Sequence, residues 1–169
     1  MRQKQSKYSS AHRGYYKILN QGKFLRPIDE YMQSTLQKDG QYCIQYKSAL
    51  ERIAFCYADL NPKVQKFSVE PFSIQYIKPT DGRVHQYFVD MYIEFITGDK
   101  FIAEIKSYSE TVVPQTPKSK SPNAILRYKE QLETYLVNTA KWQAAREFAA
   151  SRGLKFIILT EKELRGKPD

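Results

Sequence analysis

From Ser48 the apolar residues Leu50, Ile53, Ala54, Tyr57 and Ala58 recur at helical spacing until Asn61-Pro62 stops the pattern. Glu51 borders that stripe. Residues 63 to 77 read as extended, with Val69, Phe72, Ile74 and Ile77 in a β-favouring context, and Pro79-Thr80-Asp81-Gly82 signals a hairpin turn. His85 to Ile96 then alternates: Tyr87, Val89, Met91, Ile93 and Phe95 on one face, Phe88, Asp90, Tyr92 and Glu94 on the other. After the turn Thr97-Gly98-Asp99, the segment Lys100 to Lys106 sets Phe101, Ala103 and Ile105 against Ile102, Glu104 and Lys106.

The flanks are less regular. Residues 1 to 28 lack sustained periodicity and are interrupted by Gly14, Gly22 and Pro27, which predicts an irregular arm; residues 29 to 39 read as a short helix ended by Gly40. Ser107 to Asn123, with three prolines and several serines, reads as a loop. Residues 124 to 137 and 139 to 152 are helical by pattern, as one long helix or two in close succession, with Gly153 as the stop. Lys155 to Thr160 reads as a short buried strand. The order helix, three strands, helices, strand predicts an α/β fold with a mixed central β-sheet flanked by helices, the last strand returning parallel after a crossover. The chain divides into a basic N-terminal arm with its short helix, 1–40, and a globular domain, 41–169.

Composition narrows the classes. With 169 residues, 41% hydrophobic and 27% charged, the chain can bury one core and is too apolar to be wholly disordered. No run approaches the length of a membrane span, and the first residues lack the apolar middle of a secretory signal, so no membrane association is expected. Cys43 and Cys56 have neither zinc-site nor disulfide-framework spacing and read as small buried apolar residues.

A formal net charge of +9 points to a polyanionic partner. Arg2, Lys4, Lys7, Arg13, Lys17, Lys23 and Arg26 stand in the first 28 residues without an acid and are interleaved with Tyr8, Tyr15 and Tyr16. That composition suits phosphate contacts plus stacking, with Arg13, Lys17, Lys23 and Arg26 as DNA-binding candidates; the other reading is a solvated tail. Between Glu110 and Glu130 the only charges are Lys118, Lys120, Arg127 and Lys129, a basic loop leading into a helix.

The charged residues of the strand pair carry the candidate chemistry. Hydrolysing a phosphodiester needs a hard cation, a water activated near neutral pH and stabilisation of the leaving oxygen. Asp90 and Glu104, fourteen positions apart on antiparallel neighbours, meet across the sheet in this reading, and the backbone carbonyl of Ile105 adds a third oxygen for Mg²⁺ or Mn²⁺. Lys106, two residues beyond Glu104, points the same way and is placed to orient the attacking water or the scissile phosphate. Glu51 is a fourth member, able to reach the cation or its water from the helix. Each also has a plainer reading: Glu104 and Lys106 as a solvent-facing strand pair, Glu51 as a helix-face carboxylate paired with a nearby cation. Asp90 favours the functional one, being framed by Phe88, Val89, Met91 and Tyr92. His85, between strand residues and near Arg83, reads as a polar edge residue.

The set of a helix Glu, then Asp, then Glu-x-Lys is similar to the PD-(D/E)xK pattern of the restriction-endonuclease-like superfamily. Beyond it, YKSALE at 46–51, the segment from Glu70 to Asp90, FIAEIK at 101–106, NTAKWQAAREFA at 138–149 and GLKFIILTEKEL at 153–164 resemble the head-completion nucleases of tailed phages, relatives of transposon-end endonucleases. The resemblance implies a restriction-endonuclease-like core, Glu51, Asp90, Glu104 and Lys106 as the catalytic set, and double-stranded DNA as substrate. It further implies processing of the packaged DNA end, portal or neck proteins as partners, and a location in the bacterial host cytoplasm or the virion. Val89 stands where the superfamily commonly has proline. The family's Asn-x-x-Lys-Trp is kept as Asn138, Lys141 and Trp142; Lys141 is a further DNA-binding candidate, and Trp142 reads as packing the helix on the sheet. The alternative function is a non-catalytic virion DNA-binding protein that plugs or stabilises the filled head.

Overall fold

The computed structural model describes residues 13–26, 35–38 and 40–164. Ser48 caps the first helix, α1 (Ala49–Leu60), by accepting the amide of Glu51, and Asn61-Pro62 ends it. α1 lays Ala54, Phe55 and Ala58 on one face of a four-stranded sheet of order β4 (Val64–Val69), β7 (Met91–Phe95), β8 (Lys100–Ile105), β9 (Lys155–Leu159). β7 is antiparallel to both of its neighbours, β4 and β8, and β9 joins parallel to β8, so the sheet is mixed and the α/β class is as the sequence order predicts. The crossover to β9 is one unbroken helix, α2 (Pro122–Ser151), with Ser121 as N-cap and proline at its first turn. A short helix, α3 (Glu161–Leu164), follows β9.

The sheet separates two apolar layers. Phe67, Met91, Ile93, Ala103 and Ile105 pack toward α1, whereas Ile102 and the partly buried Phe156 pack toward α2 through Ala145 and Ala149. Trp142 on α2 is 4% exposed, in keeping with its reading as a packing residue.

Two predicted strands are each broken in two. The extended stretch 63–77 is β4 and β5 (Ser73–Ile77), and the stretch 85–96 is β6 (Val84–Phe88) and β7. β5 and β6 pair in a separate two-stranded ribbon that lies under α2. Both chains bend at one level: Glu70 takes φ 46°, Pro71 has no amide to donate, the Glu70 amide bonds the Asp90 carbonyl at 3.0 Å, and Val89 N–H reaches Phe72 O at 3.3 Å. Strict alternation therefore fails across Asp90: Tyr87 and Val89 join the α2 layer, Met91 and Ile93 the α1 layer.

The N-terminal expectations need correction for the residues described. Residues 35–38 form strand β2 (Thr35–Lys38), not part of a helix; the rest of the predicted helix, 29–34 and 39, lies outside the described residues. Nor is 13–26 irregular: β1 (Gly14–Lys17) and β2 flank β3 (Gln41–Tyr46) in an antiparallel three-stranded sheet, and Ile18 and Phe24 enter the α1 core. Asp59, 0% exposed, holds this segment down by accepting Tyr16 Oη at 2.8 Å, Leu19 N at 2.7 Å and Asn20 N at 2.9 Å. Cys43 and Cys56 are free and half-buried.

Candidate active site

The last ladder pair of β7 and β8 is Met91 with Ala103, so Asp90 and Glu104 stand one step beyond it, at the bend where β6 leaves the sheet. There the Asp90 side chain takes over the ladder: its Oδ2 accepts the Ile105 amide at 2.7 Å. Glu104, 3% exposed on a strand flanked on both sides, accepts the Tyr87 hydroxyl at 2.6 Å, and Lys106 Nζ lies 3.4 Å from its Oε1. Asp90, Glu104, Ile105 and Lys106 thus converge as the strand spacing predicts.

Electrostatics at this point are strained in one direction. Burial, then the Glu104 carboxylate, push the Asp90 carboxyl well above its ordinary range, against the Ile105 amide and Lys106, which pull it down. Burial alone would lower the Lys106 ammonium, but Glu104 and Asp90 outweigh it and hold the lysine charged. The Asp90 carboxyl is thus held against ionisation by burial and by its acidic neighbour, beside a lysine that stays protonated.

Glu51 approaches from α1 and has a structural task there. The sequence Ser48-x-x-Glu51 carries the signature of a capping box, and Glu51 Oε2 accepts the Lys47 amide at 2.5 Å. Burial still raises its carboxyl. A small cleft is lined by Gln45, Lys47, Glu51, Val69, Glu70 and Asp90, which brings Glu51 and Asp90 to one surface. Lys47 bridges it, with Nζ 2.5 Å from Glu70 Oε1.

Lys47, Glu70 and Tyr87 are site neighbours that pattern reasoning passes over. Tyr87 reads as one more apolar residue of an alternating row, and the only local hint for Glu70 is the proline that follows it. His85 pairs with Asp81 at 2.9 Å beside the hairpin turn, as its reading as an edge residue expects. A wide concavity of about 810 Å³ between the 108–115 loop and the first half of α2 contains none of the predicted catalytic residues.

Residues 61–161, more than half of the chain, match the TnsA-like endonuclease N-terminal family. The chain belongs to the TnsA-like endonucleases. It is also 37% identical over 122 residues to the head completion nuclease of Enterobacteria phage T4, covering 72% of this chain and 81% of that protein. The family match spans Asp90, Glu104, Lys106 and Lys141 and begins after Glu51. No helix among the described residues is long and apolar enough to cross a membrane.

The DNA-binding candidates of this endonuclease-family chain do not form one patch. Arg13 precedes Gly14, which pairs with Tyr46, so it lies at the end of the N-terminal sheet that leads to Lys47 and Glu51. Lys17 pairs with Cys43 at the opposite end. Lys23 donates to the carbonyls of Asp59 and Asn61 at 3.0 and 2.8 Å, and Arg26 stacks 5.4 Å from the Tyr42 ring. Lys118 and Lys120 are exposed on the loop before α2. Lys141 alone approaches the carboxylates, lying 5.8 Å from the ring centres of both Tyr76 and Tyr87.

Proposed function

We propose that this chain is a divalent-metal-dependent DNA endonuclease with Asp90, Glu104, Lys106 and Glu51 as its catalytic set. The observation that carries the reading is the buried Asp90–Glu104 pair with Lys106 beside it, an arrangement that raises the Asp90 carboxyl and is relieved by a cation. Among the described residues no three His, Cys, Asp or Glu side chains converge to hold an ion alone. Magnesium fits regardless, because it commonly binds through one or two carboxylates and keeps several waters. Asp90 and Glu104 would hold Mg²⁺ or Mn²⁺, and the Ile105 carbonyl would complete the set, since it leaves the strand on the same edge as the amide that Asp90 accepts. When bound, the cation neutralises charge that builds on the phosphate and lowers the pKa of an attacking water.

The chain's own groups do the rest. Lys106 remains an ammonium, so it positions a phosphate oxygen or the water and does not accept a proton. Tyr87 fixes the Glu104 carboxylate through its hydroxyl. Glu51, raised by burial, is suited to orient the water and take its proton. The basic groups outside the site bind backbone phosphates and read no bases, so sequence specificity is weak. The family relation and the name of the phage T4 relative support a role in phage head completion, in which the substrate is the end of packaged double-stranded DNA and the portal or neck proteins are partners.

The test is cleavage of linear and supercoiled duplex DNA with Mg²⁺ or Mn²⁺ by the wild type, Glu104→Ala and Lys106→Ala. Metal-dependent cutting by the wild type and its loss in both variants is the expected result. A wild type that binds DNA but leaves every form intact would favour the non-catalytic virion protein.

A further inference from the structure

Lys141 sits where a lysine is costly. Its ammonium is half-buried over two tyrosine rings, and burial lowers its pKa, while Glu104 and Asp90 lie within electrostatic range. Among the described residues its ammonium has neither a hydrogen bond nor an ion pair with the protein, so its three N–H donors are open to an incoming acceptor. One turn earlier on the same helix face Asn138 is 6% exposed, and its amide also lacks a partner among the described residues. The indole N–H of Trp142 is buried and unpaired. A buried donor without an acceptor costs about 1–3 kcal/mol, and the indole N–H is such a donor, set beside two polar side chains that make no hydrogen bond to a described protein group. Asn138 and Lys141 are thereby left able to meet an acceptor that arrives with a ligand.

We propose that Asn138 and Lys141 form an anion subsite on α2 that takes the non-bridging oxygens of a DNA backbone phosphate, within electrostatic range of Lys106 and the Asp90–Glu104 pair. This deepens the endonuclease reading and rests on it for the identity of the ligand. Lys106 comes from the sheet and Lys141 from the helix, so a phosphate seated between them is gripped from two elements and held against the carboxylates. Tyr76 and Tyr87 shape the wall behind Lys141, and Tyr87 links this subsite to Glu104.

Trp142 is the only tryptophan in the chain and is the neighbour of Lys141, so its emission reports this subsite. The experiment titrates the full chain with a short fluorescein-labelled DNA duplex in EDTA, following labelled-DNA anisotropy and Trp142 emission together, for the wild type, Lys141→Met, Lys141→Arg and Asn138→Ala. Methionine keeps the apolar stem and removes the charge. DNA should still bind Lys141→Met within about threefold through the other basic residues, but the emission change seen in the wild type should be lost and should return in part with Lys141→Arg. With metal, single-turnover cleavage by Lys141→Met should fall at least about 100-fold with melting temperature unchanged or higher. Wild-type binding without any change in Trp142 emission, or Lys141→Met responding and cutting like the wild type, overturns the subsite. A wild type that changes its emission but never cuts would refute the nuclease reading and leave the phosphate subsite standing.

Discussion

The hydroxyl of Tyr87 donates to Glu104 Oε2 across 2.6 Å in the interior of the protein, joining the β5–β6 ribbon to the central strand that bears Glu104 and Lys106. The bond orients a carboxylate that has Lys106 on its other oxygen. Hydrogen bonds of this kind typically alter metal affinity or activity about 10–100-fold when removed. Tyr87→Phe keeps the ring in the α2 layer and removes only the donor. A Mg²⁺ titration of cleavage should show at least about a tenfold higher half-saturating concentration, with duplex affinity in EDTA unchanged. An unaltered titration would assign Tyr87 to packing alone.

Asp90 is expected to make the metal-free protein less stable as pH rises. Its carboxyl is raised in the fold above the ordinary aspartate value of the unfolded chain, so the stabilising contribution is present below the unfolded value and is lost as pH rises through the folded one. Asp90→Asn keeps an acceptor for the Ile105 amide without the charge. In EDTA at pH 8 it should melt a few degrees higher than the wild type, at about 2–4 °C per kcal/mol, while cleavage is abolished. The difference should narrow toward pH 5, and a variant that melts lower at pH 8 would contradict the electrostatic account.

Asp59 should matter to stability far more than to chemistry. Asp59→Ala strands the Leu19 and Asn20 amides and the Tyr16 hydroxyl, all satisfied by one buried carboxylate. At about 1–3 kcal/mol for each unsatisfied donor, a loss of at least about 3 kcal/mol is expected. Thermal unfolding should fall by about 6–12 °C. Cleavage per folded molecule at 20 °C should hold, because Asp59 lies more than two turns along α1 from Glu51.

Exposed and engaged lysines should separate by salt dependence. If Lys118 and Lys120 each meet a phosphate, replacing both with alanine reduces the log–log salt slope of duplex binding by about 0.9 per contact. Lys23→Ala, by contrast, removes the ammonium held by the Asp59 and Asn61 carbonyls and should lower the melting temperature with the slope intact. A slope unaffected by the loop variant would leave the duplex to other surfaces.

Local periodicity was enough to find α1, the Thr97–Asp99 turn and the facing of Glu104 with Lys106, because each depends on neighbours a few positions away and on a period of 2 or 3.6, and the order of the elements gave the mixed central sheet. It also placed Asp90 against Glu104, since a tight turn fixes the register of the two strands it joins. Tertiary structure decided what local pattern cannot carry. β1, β2 and β3 are short and mixed in composition, and each becomes a strand by pairing with the others. The division of 85–96 at Asp90 depends on a bend in a different stretch of chain, at Glu70-Pro71, and alternation within one segment holds no record of it. For the same reason Tyr87, Lys47 and Glu70 became site residues only in three dimensions: their chemistry comes from partners 17 and 23 positions away, brought close by sheet and helix packing.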